Sequence, residues 1–250
     1  MRKNRERRDW IWEALFPDGI YCIACGAPIK KGQPYALCDT CTGKLLYRKP
    51  AVCPGCGRFV KKSPALFCAN CAAHPLRYDG GAAAVVYGEE AQRIIHSLKY
   101  GGRGYLAKNI ADIMADIVPE PHCYDIIIPV PLHKSRKKLR GFCQTSLIAG
   151  RLGELTGKPV CFDGLVRRKK TRAMRELDPR QRRANVRDVF AVGNQSGIAG
   201  KRVLLIDDLL TTGSTADACA AVLKEAGARQ VILAVFASPY KEEEDGISPY

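Results

Sequence analysis

From residue 79 onward the apolar positions fall into short runs separated by amphipathic stretches. Residues 82–87, 125–128, 160–162, 203–206 and 231–237 are nearly continuous apolar segments of strand length, rich in Val, Ile and Ala. Between them, residues 89–98, 106–117, 142–155 and 214–226 place apolar side chains at helical spacing. Gly157 and Pro159 close the third of these helices, and Gly227 closes the fourth. Strands apolar on both faces, alternating with helices, predict an α/β domain over residues 79–240. Its sheet is expected to be mostly parallel, with helices on both faces. In such sheets ligands bind beyond the carboxyl ends of the strands.

The first part of the chain follows a different rule. Residues 20–76 hold four C-x-x-C pairs: Cys22 and Cys25, Cys38 and Cys41, Cys53 and Cys56, Cys68 and Cys71. The segment is an approximate internal repeat in which each half reads pair, short spacer, pair. Gly26 and Gly57 follow the second cysteine of their half, where a tight turn aims backbone N–H groups at sulfur. A segment this short and this rich in Gly and Pro buries little core, so metal binding would supply its folding energy. Tetrahedral zinc takes four thiolates, and two C-x-x-C turns provide them. The reading is a small Cys-rich module of zinc-ribbon type with one or two structural Zn²⁺. Each half closing on its own ion is preferred over an interleaved arrangement. His74, three residues past Cys71, reads as a surface residue. Residues 1–19 form a basic segment with a short amphipathic helix through Trp10, Trp12, Leu15 and Phe16, and residues 241–250 form a solvated tail.

Composition narrows the classes. The chain has 250 residues, 46% of them hydrophobic and 26% charged, which excludes a disordered protein. No run approaches the ~20 apolar residues of a membrane span. The basic start lacks a small-residue cleavage pattern after its short apolar stretch, so no signal peptide is expected and the chain reads as cytoplasmic. There, paired cysteines mean metal rather than disulfides. The formal charge is +15, and its excess lies in two blocks. Residues 1–78 hold fourteen Lys and Arg against five Asp and Glu, and residues 133–187 hold seventeen against four. A polyanion or a phosphorylated substrate is the partner this balance favours. The other reading is a solvated basic face.

Residues 203–215 read VLLIDDLLTTGST. A buried strand ends in Asp207 and Asp208, and Thr211, Thr212, Gly213, Ser214 and Thr215 then open a helix. Free N–H groups at a helix start bind phosphate, and the hydroxyls add donors. The carboxylates accept hydrogen bonds from vicinal hydroxyls, so one surface recognises a sugar and its phosphate together. A Walker-B strand also ends in acids, but it requires a G-x-x-x-x-G-K-[ST] loop, which the chain lacks.

DDLLTTGST is similar to the phosphoribosyl-pyrophosphate (PRPP) motif of type I phosphoribosyltransferases. With the cysteine repeat, LKYGG at 98–102, PVPLHK at 129–134, RGFCQ at 140–144 and RRAN at 182–185, the chain resembles the ComF (competence protein F) family. The resemblance implies a type I phosphoribosyltransferase-like α/β domain preceded by the zinc module. It assigns ribose contacts to Asp207 and Asp208 and the 5′-phosphate to Thr211–Thr215. The pyrophosphate falls to the turn of Val130, Pro131, Leu132 and His133, neutralised by Lys134, Arg136 and Arg140. Arg167–Asn185 corresponds to a mobile loop that closes over the reacting centre. Cys143 stands where the family has Asn, and Met174 where its loop has Gln. The resemblance further implies binding of PRPP or ribose 5-phosphate with Mg²⁺. It also implies a role in DNA uptake through single-stranded DNA or a helicase-type partner. The alternative is an active transferase moving ribose 5-phosphate from PRPP to a base or other small acceptor.

Overall fold

The computed structural model describes residues 20–46, 51–60, 67–168, 189–193 and 197–240. The expected helix at Trp10 and Trp12, the tail, and the loop segment holding Thr171 and Met174 lie outside them.

Two small units come first. The first has a turn of 3₁₀ helix at Pro34–Ala36 and helix α1 (Asp39–Leu46). The second has an antiparallel pair, β1 (Ala51–Val52) and β2 (Phe59–Val60), then α2 (Ala69–Ala73). The larger domain runs β3 (Gly80–Val86), α3 (Glu89–Tyr100), α4 (Leu106–Ala115), β4 (Ile126–Pro129), α5 (Lys134–Arg140) and α6 (Gln144–Thr156). It continues through β5 (Leu165–Arg167), β6 (Phe190–Val192), β7 (Arg202–Leu209), α7 (Ser214–Glu225) and β8 (Gln230–Ser238).

Four strands form a wholly parallel sheet in the order β3–β8–β7–β4. Their side chains alternate between two cores, as the pleat requires. Leu204, Ile206, Ala234 and Phe236 pack with α3, α4 and α6 on one face. Val203, Leu205, Leu233 and Val235 pack with α7 on the other. Every one of these eight side chains is buried. At the starts of β4 and β7 a carboxylate–guanidinium pair, Asp125 to Arg202 at 2.8 Å, clamps the two strands.

One difference concerns residues 160–162. Only Val160 pairs, as a single parallel bridge to Ile127. The chain then turns and enters β5, which pairs antiparallel with β6 outside the main sheet.

The two cysteine units straddle the sheet. Leu37, Cys41 and Leu45 belong to the first core, and Lys44 Nζ reaches Glu90 Oε1 of α3 at 3.1 Å. Cys53, Cys56, Phe59 and Val60 belong to the second core. There the contact is backbone against backbone. A Cβ on Gly57 would stand 2.4 Å from the amide nitrogen of Ala82, and one on Gly81 would stand 2.7 Å from the carbonyl oxygen of Cys56. Only glycines allow the second unit to sit this close to β3.

Candidate functional site

The cysteines assemble as two separate sets of four, Cys22/Cys25/Cys38/Cys41 and Cys53/Cys56/Cys68/Cys71, with all sulfurs of a set within 4.8 Å of one another. Sulfur separations of 3.8 Å (Cys25–Cys38) and 3.8 Å (Cys56–Cys68) match the edge of about 3.8 Å expected of a tetrahedron with Zn–S bonds of about 2.3 Å. The backbone N–H of Cys68 points at Cys53 Sγ, 3.3 Å away, as thiolates require. Gly26 and Gly57 take φ of 77° and 75°, the left-handed turns expected of them. The donor chemistry and spacing suit two structural zinc ions, each held by one half of the repeat. His74 caps the end of α2 and belongs to neither set.

The second centre is at the carboxyl end of β7. Because β4 and β7 run parallel in register, Pro129 opposite Ile206, the turn at Val130–His133 and the loop at Thr211–Thr215 emerge at the same sheet edge. The N–H of Val130 donates to the carbonyl of Ile206 at 2.9 Å, and its own carbonyl accepts from Thr145 Oγ1 at 2.7 Å. Pro131 and Leu132 are half-buried. His133 caps α5: its Nδ1 accepts from the N–H of Ser135 at 3.2 Å. Lys134 starts α5, and Arg140 ends it with its guanidinium 5.1 Å from the ring centre of Tyr100.

In the loop, Gly213 adopts φ 82° and serves as the cap of α7. Thr212 Oγ1 and Ser214 Oγ are 2.8 Å apart. Among the described residues, the backbone N–H groups of Thr211, Thr212, Gly213 and Thr215 carry no hydrogen bond. These amides at the start of a twelve-residue helix are open to an anion.

Asp207 accepts the N–H of Asp208 at 2.8 Å. Burial and the adjacent carboxylate of Asp208 push the Asp207 carboxyl up to about 7. Asp208 faces a cation that the motif alone does not announce: Lys99 Nζ lies 2.7 Å from its Oδ2, with both side chains largely covered. Arg167, packed 5.4 Å over the Phe190 ring, adds a second positive charge near Asp207. LKYGG is therefore where α3 ends against the site, with Lys99 on the acid and Tyr100 beneath Arg140. Arg58 also reaches the site, donating from Nη2 to the carbonyl of Thr211 at 2.5 Å. Nothing near Arg58 in sequence signals that contact across 153 positions. Cys143 is buried as the cap of α6, 3.1 Å from Thr145 Oγ1. Burial in apolar surroundings drives the Cys219 thiol far up, which fits a packing role.

An acid-tipped strand, a loop of open amides at a helix start and two tetrathiolate clusters fit a zinc-ribbon protein with a phosphoribosyltransferase-like domain. Comparison with known families agrees. Residues 163–247 match the phosphoribosyl transferase domain, and residues 11–73 match the double zinc ribbon domain. Its similar proteins include ones named competence protein F, competence protein ComFC and DNA utilization protein YhgH. Competence protein F of Haemophilus influenzae is 26% identical over 213 residues, covering 78% of this chain and 93% of its own. DNA utilization protein YhgH of Salmonella typhi is 26% identical over 219 residues, 84% and 93% of the two chains. Competence protein ComFC of Bacillus subtilis is 26% identical over 234 residues, 88% and 85%. The likeness to ComF read from the motifs is thereby borne out. Among the described residues no helix is long and apolar enough to cross a membrane.

Proposed function

We propose that the domain over residues 79–240 binds the 5-phosphoribosyl group of PRPP or ribose 5-phosphate, and that the protein serves DNA uptake by engaging single-stranded DNA. The observation that carries the first half is the set of open amides at Thr211, Thr212, Gly213 and Thr215 beside Asp207 and Asp208. The phosphate docks on the amides and hydroxyls, and the ribose hydroxyls donate to the acids. Lys99 already balances Asp208, so Asp207 is the carboxylate left to respond to a sugar or to Mg²⁺. With PRPP, Mg²⁺ held by ligand oxygens and this acid would offset charge on the pyrophosphate. Lys134, Arg136 and Arg140 of α5 stand on the pyrophosphate side of the same edge. Calorimetric titration with PRPP and with ribose 5-phosphate, with and without Mg²⁺, tests the reading. Binding lost in an Asp207→Ala, Asp208→Ala double variant is expected; a wild-type protein that binds neither ligand overturns it.

The second half is supported by a basic surface that also carries exposed rings. Helix α5 presents Lys134, Arg136, Lys137, Lys138 and Arg140 with no acid among them. Tyr100, 61% exposed, lies under Arg140, and Tyr105 is a further exposed ring at 59%. Cations that track phosphates together with rings that stack on bases are what an unpaired strand recruits. A helicase-type partner on DNA is the corresponding protein contact. The alternative, turnover of PRPP with a small acceptor, is favoured by the shared edge of the pyrophosphate turn and the phosphate loop. Pyrophosphate release across an acceptor panel, abolished in the double variant, would establish it.

A further inference from the structure

The second cysteine cluster touches the sugar-phosphate loop through a short chain of contacts. Arg58 follows Cys56 by two residues and is 3% exposed. It forms no ion pair among the described residues, and its Nε has no hydrogen-bond partner there. Among the described residues its side chain makes one hydrogen bond, from Nη2 to the carbonyl of Thr211 at 2.5 Å. A buried guanidinium without a carboxylate is costly unless other negative charge compensates it. Two such sources flank Arg58. A zinc tetrathiolate carries about −2, and its Cys56 is two positions away. The open amides of the loop that Arg58 grips are the place for a phosphate.

A second contact runs in parallel. Tyr78 is buried, its hydroxyl 3.5 Å from the carbonyl of Cys56. A Cβ on Gly213 would meet that same hydroxyl at 3.3 Å. The cluster cannot slide away from these partners, because Gly57 and Gly81 lock it backbone to backbone on β3. The first cluster sits on the opposite face of the sheet and has no comparable link to the loop among the described residues.

We infer that the second cluster, through Arg58, holds the Thr211–Thr215 loop in its anion-binding form, so that metal in this cluster and phosphate in the loop are coupled. Arg58 is a positioning residue. It fixes a carbonyl on one side of the loop and thereby keeps the amides facing outward. By linkage the effect is reciprocal: phosphate ligand slows metal loss from this cluster and not from the first. The ligand half of this inference rests on the sugar-phosphate reading above; the mechanical half does not.

The experiment compares zinc-loaded full-length wild type with Arg58→Met and Arg58→Lys. Zinc stoichiometry is checked first. Hydrogen exchange is then followed in the peptide spanning residues 207–216, and ribose 5-phosphate affinity is measured. In Arg58→Met, with both ions retained, we expect loop exchange roughly tenfold faster and ribose 5-phosphate bound about tenfold more weakly, within the usual range of site coupling. Exchange across residues 22–41 should not change, and Arg58→Lys should recover part of both losses. If Arg58→Met fails to retain zinc, wild type is treated with graded chelator. Loop exchange should then rise in step with emptying of Cys53–Cys71, located by thiol labelling. Loop exchange that stays at the wild-type rate in zinc-loaded Arg58→Met, or after the second cluster is emptied, overturns the inference. If the loop loosens as expected but the wild-type protein binds no ribose 5-phosphate, the mechanical half stands and the sugar-phosphate reading, with the ligand half, is removed instead.

Discussion

Replacing Asp207 by Asn should make the protein more stable while removing the carboxylate proposed to contact the sugar. Asp207 Oδ1 accepts the N–H of Asp208, and the carbonyl oxygen of an Asn keeps that bond. The Lys99–Asp208 pair is untouched. What disappears is a charge in a place that disfavours it, since burial and Asp208 raise the Asp207 carboxyl to about 7. Unfolded, the same group titrates near 3.9. A carboxyl raised on folding favours the folded state while protonated. Its contribution is fully present below about pH 4 and is lost as pH rises through about 7. The interval, at about 1.4 kcal/mol per pH unit, sets an upper bound of about 4 kcal/mol at pH 8. At pH 5 only about 1.5 kcal/mol of it has developed.

The stability gap between Asp207→Asn and wild type should therefore widen by roughly 2–3 kcal/mol between pH 5 and pH 8. At this chain length that corresponds to a growth in the Tm difference of about 5–10 °C. Thermal unfolding of the zinc-loaded proteins, followed by near-ultraviolet circular dichroism at four pH values, measures it. The window stops at pH 5 so that the cysteine thiolates keep their metal. A gap that is constant, or that narrows as pH rises, refutes the reasoning, because it means Asp207 is not held against its charge. A variant that is more stable at pH 8 yet no longer binds ribose 5-phosphate would show that the acid is kept for recognition at the expense of stability.

Three further outcomes can be checked. Lys99→Met strips the partner from a covered carboxylate and should cost about 3 kcal/mol at neutral pH. It should also move the Asp207 titration still higher by carbon NMR; an unmoved Asp207 would contradict the placement of Lys99. Gly57→Ala should cost several kcal/mol, on the order of 3–4, because it adds a clash with Ala82 to a left-handed φ. Gly26→Ala shares the φ but has nothing within 4 Å, so urea melts should show a loss of only about 1 kcal/mol; equal losses would mean the second unit is not docked as described. Fluorescence anisotropy with single-stranded DNA should give an affinity that falls steeply with salt, and Tyr100→Ala should weaken it by about 1–3 kcal/mol without changing the salt slope. A salt-independent affinity would remove α5 from the interface.

The parts legible in the sequence share one property: their cause is local. Val203–Ile206 is apolar at consecutive positions, which only a strand covered on both faces explains, and it becomes the central β7. The cysteine spacing closes each tetrathiolate within its own half of the repeat, so the pairing of clusters follows from chain length alone. Helix α5 was hidden for the opposite reason. Its seven residues offer no apolar period, and its leucine, Leu139, is 83% exposed. What makes it a helix is at its ends: the His133 side chain on the Ser135 amide, and Gly141 at φ 81°. A cap at the start and a left-handed glycine at the end were the available signal.

The site divides along the same line. Asp207, Asp208 and the Thr211–Thr215 loop are contiguous, so the strand that ends and the helix that begins determine their mutual geometry without help. Lys99 and Arg58 belong to the same centre but are delivered by other elements, α3 and the second cysteine unit. Their roles are consequences of packing. Leu98 must be buried for α3 to seat, and that places the next residue against Asp208. Gly57 must meet Gly81 for the second cluster to seat, and that places the next residue against Thr211. In both cases a residue with no motif of its own is carried into the site by an apolar or glycine neighbour one position earlier. The centre therefore depends on two docking events far from it in sequence, and a substitution at Leu98 or Gly57 should disturb the proposed sugar-phosphate binding although neither residue belongs to the acid pair or the loop.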